Sequence, residues 1–304
     1  NLVSILNLGK QHLTGVFPKL NEPEPSIGEL ELVKCHGNDI DNCGLIQLSA
    51  SFELDEMYGD NYGYRSSLNN SMLQHLKSIV ENIKTIVKLN SNDLILDIGS
   101  NDGSTLSFYD ENKFKLVGID PTAERFREYY RKNTQIISEF FSGDIIENNN
   151  FINKAKIITS FAMFYDLEDP IEFSRNVSRA LNKKEGIWVL EQSYLPSMLS
   201  QNAYDTICHE HLEYYALKQI KWILDKSDMR IIDIELTDTN GGSFVIYCSH
   251  NDSIYQVNEK NIYNVENYEK NLKLNELKIY NTFYKNILQS RDDLKKFIKE
   301  KKNN

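Results

Sequence analysis

The chain has 304 residues, 40% hydrophobic and 26% charged, with a net charge of −10 and a pI near 5.2. That size allows one large domain and a smaller lobe, and its acidity argues against a nucleic-acid binder while leaving small-molecule substrates open. No apolar run is long enough for a membrane span, and four cysteines are too few for a disulfide scaffold, so a cytoplasmic protein with no membrane partner is expected.

Residues 1–57 read as irregular, with "NEPEPSIGEL" as a turn-rich loop and "LIQL" as one short strand. Cys35 and Cys43 fall in this part. A helix follows in "SSLNNSMLQHLKSIVENIKTIVKL", where Ser67 or Asn69 can cap and Met72, Leu73, Leu76, Ile79, Val80, Ile83 and Val87 make one apolar face. From residue 93 short apolar strands alternate with helical stretches. "DLILDIG", "KLVGID", "QIIS", "AKIITSF" and "GIWVLEQ" are the strands; "TAERFREYYRKN" and "PIEFSRNVSRAL" are helical. This alternation predicts an α/β fold with a parallel sheet covered on both faces. A helix is expected over "CHEHLEYYALKQIKWILDKS". "RIIDIELT" and "GSFVIYCS" then pair as a terminal antiparallel hairpin, and residues 255–304 are helical with one packed face.

The first strand runs into a glycine loop, "LILDIGSNDGSTL", which reads Asp97-x-Gly99-x-x-x-Gly103. Glycines let the chain turn tightly and a ligand approach the backbone. Asp120 ends the second strand, where a carboxylate can accept ribose hydroxyls, and open α/β sheets bind ligands at this end. A dinucleotide fingerprint needs further glycines where the chain has Asn101 and Ser104. A loop opening on a carboxylate instead suits a cationic ligand without phosphate, such as S-adenosylmethionine (SAM).

Taken together, "NCGLIQL", "NYGYRSSLNNSMLQHL", "LDIGSNDGSTL", "GIDPT", "YDTICHEHLEYYAL" and "NGGSF" resemble, in this order, the nucleotide-sugar C-methyltransferases of bacterial deoxysugar pathways. These are class I SAM-dependent methyltransferases. The resemblance implies a Rossmann-like domain with a mostly parallel seven-stranded sheet over 91–250, a partial zinc-binding lobe over 1–60, a linking helix over 61–90 and a helical extension over 251–304. It implies truncation at both ends. The family's zinc lobe uses two cysteine pairs, so Cys35 and Cys43 would bind zinc only with a pair upstream of Asn1.

For SAM, the resemblance and the loop together point to Asp97, Gly99, Ser100, Asn101, Gly103, Asp120 and Pro121. Phe140 and Phe161, at strand ends, are candidates for packing on adenine. The acid–base roles fall on the H-E-H segment. His211 is the expected base that removes a proton beside a sugar ketone, with Glu210 beside it. Tyr62 or Tyr64, together with Tyr165, would donate hydrogen bonds to the enolate oxygen. His209 is a further candidate. Two residues apart on a helix, the imidazoles would point about 200° apart, which argues against a shared metal. The chain departs from the family pattern at Cys208, Tyr165 and Asn240, where tyrosine, histidine and histidine are common. The expected function is therefore methyl transfer to carbon of a nucleotide-linked keto sugar. Sugar O-methylation and a non-catalytic SAM- or nucleotide-binding fragment remain open alternatives.

Overall fold

The computed structural model of the chain describes residues 1–14, 16, 18–37, 42–53, 57 and 63–302. Tyr62 lies outside them. Among the described residues two sheets organise the fold.

The larger sheet has seven strands. In chain order these are β4 (Leu94–Ile98), β5 (Lys115–Ile119), β6 (Gln135–Ile137), β7 (Ala155–Phe161), β8 (Ile187–Ser193), β10 (Met229–Thr237) and β11 (Ser243–His250). Their spatial order is β10-β11-β8-β7-β4-β5-β6. All neighbours are parallel except β11, which runs antiparallel to both β8 and β10. Strands β4 and β11 are buried along their whole length, as sheets covered on both faces require. The sheet and its terminal hairpin are those the strand pattern predicts.

One face of the sheet carries α1 (Asn70–Ile86). Asn69 caps it, its Oδ1 accepting from Ser71 N at 3.0 Å. Leu76, Ile79, Val80 and Ile83 recur at helical spacing and bury against the sheet; the last three pack on Ile95, Leu116, Ile157, Val189 and Val245. The other face carries α3 (Pro170–Ala180) and α5 (Leu217–Asp225), whose Phe173, Val177, Ile220 and Ile223 pack on Leu96, Ile158, Trp188 and Leu190. The short α2 (Gly143–Asn148) precedes β7, and α4 (Leu195–Gln201) follows β8.

Three expectations are corrected. First, residues 1–57 are not irregular. Strands β1 (Leu2–His12), β2 (Ile27–Cys35) and β3 (Ile46–Leu48) form an antiparallel sheet, closed by β9 (Glu213–Tyr214) from far down the chain. The pattern "IGELELVK" does bury Leu30, Leu32 and Val33, but β1 is bulged twice, which breaks the alternation. Second, "TAERFREYYRKN" gives turns and a 3-10 segment at Arg127–Tyr129 rather than a helix. Only Thr122 and Ala123 are fully buried there, too little to anchor several turns. Third, "CHEHLEYY" is not helical: residues 207–212 are irregular, 213–214 form β9, and α5 begins at Leu217.

The last helices are α6 (Glu259–Leu272) and α7 (Leu277–Lys302). Tyr280, Phe283 and Ile287 of α7 join Leu6, Leu32 and Ile46 of the small sheet and Leu195, Met198 and Tyr214 in one core. The small sheet is thereby fixed to the end of the large one where β8 finishes.

Candidate active site

A cavity of about 320 Å³ opens at the carboxyl ends of β4, β5, β7 and β8. Of the expected cofactor residues, Asp97, Gly99, Ser100, Asn101, Asp120, Pro121, Phe140 and Phe161 line it, as do Tyr64 and Tyr165. Six carboxylates line it too, those of Asp97, Asp120, Glu139, Asp166, Glu168 and Glu191; no Lys, Arg or His does among the described residues.

The loop after β4 is held by its own polar side chains. Gly99 and Gly103 have φ of +71° and +72°, left-handed values that suit glycine. A Cβ at Gly103 would come within 2.6 Å of the Tyr130 ring. Gly103 does not line the cavity; it makes the turn that lets the loop do so. Asn101 N–H donates to Asp120 Oδ2 at 2.9 Å, and Thr122 N and Oγ1 donate to Asp120 Oδ1 at 2.7 and 2.6 Å. Asp120 is thus locked in one orientation, with three of about four lone-pair positions used. Asn101 Nδ2 donates to Tyr64 O at 3.1 Å, and Ser66 N donates to Asn101 Oδ1 at 3.0 Å. These bonds seat Tyr64 over the cavity. Asp102 is 2% exposed and accepts from Ser67 N and Ser104 N. Burial, opposed by the 2.6 Å bond from Thr159 and aided by the charges of Asp120 and Asp102, pushes Asp97 up to about 7. Such a carboxylate cluster favours a cationic guest.

The H-E-H segment separates its three residues. His209 is fully buried against the small sheet, not the cavity. Its Nε2–H donates to Gly28 O and its Nδ1 accepts from Thr14 N, both at 3.3 Å, with the Phe52 ring edge-on at 4.7 Å. Burial lowers its pKa despite the Gly28 bond. These contacts tie the segment to the small-sheet lobe, and they place His209 away from the cavity where a catalytic group was expected. His211 packs against Tyr165 with ring centroids 4.1 Å apart and planes inclined at 51°. It does not itself line the cavity; Tyr165 does. Its Nδ1–H donates to Thr206 O at 2.8 Å, which leaves the lone pair on Nε2. Burial, partly offset by that bond, lowers His211 to about 4, so the imidazole is neutral at pH 7. Burial raises Glu210 to about 7. Among the described residues neither imidazole bonds its carboxylate: His209 is held by Gly28 and Thr14, and His211 by Thr206.

Cys35, at the end of β2, and Cys43, in the connection to β3, lie side by side as free thiols. Among the described residues no three His, Cys, Asp or Glu side chains converge as a metal would require. Two thiols supply half of a tetrahedral zinc set, so the residues present do not fit a structural zinc.

The sequence reading missed Glu191 and Gln192, which end β8 and line the cavity, and His75 behind Glu191. A signal was present: a charge closing an otherwise apolar parallel strand sits where such sheets bind ligands.

A family model described as a methyltransferase domain matches residues 72–234, more than half of the chain. The chain belongs to this methyltransferase family. A second model, a C-methyltransferase C-terminal domain, matches residues 238–304 of this methyltransferase. C-methyltransferase NovU of Streptomyces niveus is 26% identical to it over 252 residues, covering 81% of the chain and 58% of NovU. The chain therefore spans about 58% of the length of that relative. Among solved structures, the mitomycin 7-O-methyltransferase MmcR aligns with a TM-score of 0.47 and 13% identity, over 60% of this chain and 55% of its own. A Haloferax volcanii complex of the Trm112 activator and a methyltransferase aligns at 0.46 and 13%, over 60% and 95%. No helix among the described residues is long and apolar enough to cross a membrane.

Proposed function

We propose that this methyltransferase transfers the methyl group of SAM to a carbon beside the ketone of a nucleotide-linked sugar. The observation that carries the reading is the cavity lining. A glycine loop meets six acidic side chains, the fixed Asp120 at the next strand end among them, with no basic one among the described residues. That lining suits a sulfonium and an adenosine and disfavours a phosphate. The similarity to a C-methyltransferase and the match to a C-methyltransferase terminal domain support carbon as the acceptor atom.

In this reading Gly99, Ser100 and Asn101 receive the amino-acid end, Asp120 holds the ribose, and Phe140 and Phe161 flank the adenine. SAM supplies an electrophilic methyl group on a sulfonium. The protein's part is to make the acceptor carbon nucleophilic. His211 Nε2 is the base that takes the proton directly from the carbon beside the ketone, on a sugar ring that enters next to Tyr165, and Tyr64 and Tyr165 donate to the enolate oxygen. The nucleotide diphosphate stays outside the acidic lining, and only the sugar ring enters.

The reading predicts exchange without transfer. Incubated in heavy water with S-adenosylhomocysteine and a 4-keto sugar nucleotide, the enzyme should introduce deuterium beside the ketone. Mass spectrometry finding no enzyme-dependent deuterium would remove the enolate step and leave O-methylation as the better account.

A further inference from the structure

The end of β8 carries polar groups that the cofactor loop does not use. Glu191 is 4% exposed and both its oxygens accept from His75 Nε2 at 2.8 Å, while Thr237 Oγ1 donates to Oε1 at 3.2 Å. Burial alone would lower the His75 pKa, but the hydrogen bond to Glu191 outweighs it and raises it. The carboxylate therefore has an imidazole donor behind it and also lines the cavity. Gln192 is 1% exposed, and neither its Nε2 nor its Oε1 has a hydrogen-bond partner among the described residues. Both side chains line the cavity, with Ser193 beside them.

Successive side chains on a strand point to opposite faces. Glu191 meets α1 through His75, whereas Gln192 continues the row of Trp188 and Leu190 that packs toward α3. A ligand that touches both must lie across the end of β8 and present polar groups on two edges. Glu191 as a carboxylate only accepts; the Gln192 amide donates and accepts. A hydroxyl can satisfy either group, because it does both. A phosphate would face the carboxylate, and an apolar ring would leave the buried amide without a partner, at a cost.

We propose that Glu191 and Gln192 grip the methyl acceptor from two sides and select a polyhydroxylated ring, with His75 as the positioning residue behind Glu191. This rests on the sugar-acceptor reading above and names the side chains that read the sugar. Among the described residues none of them hydrogen-bonds the loop assigned to SAM, so acceptor and cofactor binding should separate.

Calorimetry on the whole chain tests this, with S-adenosylhomocysteine and thymidine diphosphate 4-keto-6-deoxyglucose as probes. Gln192→Leu should weaken the sugar nucleotide at least about tenfold, as expected for one buried hydrogen-bonded group, and leave S-adenosylhomocysteine within about twofold. Gln192→Met, unbranched and of similar length, replaces it if the leucine variant does not fold. His75→Leu should raise KM for the sugar nucleotide with kcat nearly unchanged, and His75→Gln, which keeps a donor near Glu191, should restore it in part. Equal sugar-nucleotide affinity in wild type and Gln192→Leu overturns the inference alone. So does a parallel loss of S-adenosylhomocysteine, which would assign the amide to the cofactor. If the wild type binds S-adenosylhomocysteine and no sugar nucleotide, the acceptor reading falls and the inference with it.

Discussion

His211→Asn is expected to bind S-adenosylhomocysteine as tightly as the wild type and to lose about 10²–10⁴-fold in turnover, the usual contribution of a general base. Asparagine removes the Nε2 lone pair together with the ring that packs on Tyr165, but keeps an N–H donor for Thr206 O. The fold is therefore retained while the proposed chemistry is lost. Turnover within a few-fold of wild type would return His211 to a packing role against Tyr165.

The same variant has a pH signature. Unfolded, a histidine binds its proton near 6.5, whereas folded His211 does so only at about 4. Between these values the unfolded chain holds the extra proton, so this group makes stability rise with pH across the window and contributes no slope above or below it. Relative to His211→Asn, the wild type should lose up to about 3 kcal/mol as the pH drops from 6.5 to 4. Glu210, raised by burial to about 7, acts in the opposite sense over about 4.5–7. The difference between the two proteins, not either melting curve alone, isolates the imidazole. A pH-independent difference in thermal melting would show that His211 titrates normally.

Asp120→Ala should weaken S-adenosylhomocysteine binding by about tenfold or more, since one hydrogen bond to a charged acceptor is worth about 1.5–3 kcal/mol. The carboxylate also holds the loop through Asn101 N and Thr122, so the alanine variant should melt earlier as well. Asp120→Asn separates the two roles, because it keeps the size and one acceptor oxygen. Calorimetry showing wild-type affinity in both variants would remove Asp120 from the cofactor site.

The large sheet was legible because its strands are short apolar runs buried on both faces, and local composition reports that directly. The glycine loop was legible for a similar reason: Gly99 and Gly103 need left-handed backbone, which few other residues tolerate. The H-E-H segment was misread as helix because what holds it lies far away in sequence. His209 is fixed by Thr14 and Gly28, and β9 by β3, pairings that no local period encodes. The helix expected after β5 failed because its apolar residues are too few to bury a face. Glu191 and Gln192 escaped notice because their meaning depends on His75 and on an unpartnered amide, which only packing reveals.

The most direct test of the central claim follows the methyl group itself. With SAM labelled by carbon-13 at its methyl and thymidine diphosphate 4-keto-6-deoxyglucose as acceptor, carbon NMR of the product distinguishes a methyl on carbon from one on oxygen. A carbon-bound methyl signal should appear with wild type and be strongly reduced with His211→Asn. An oxygen-bound methyl, or no transfer by a wild type that binds both ligands, would contradict it.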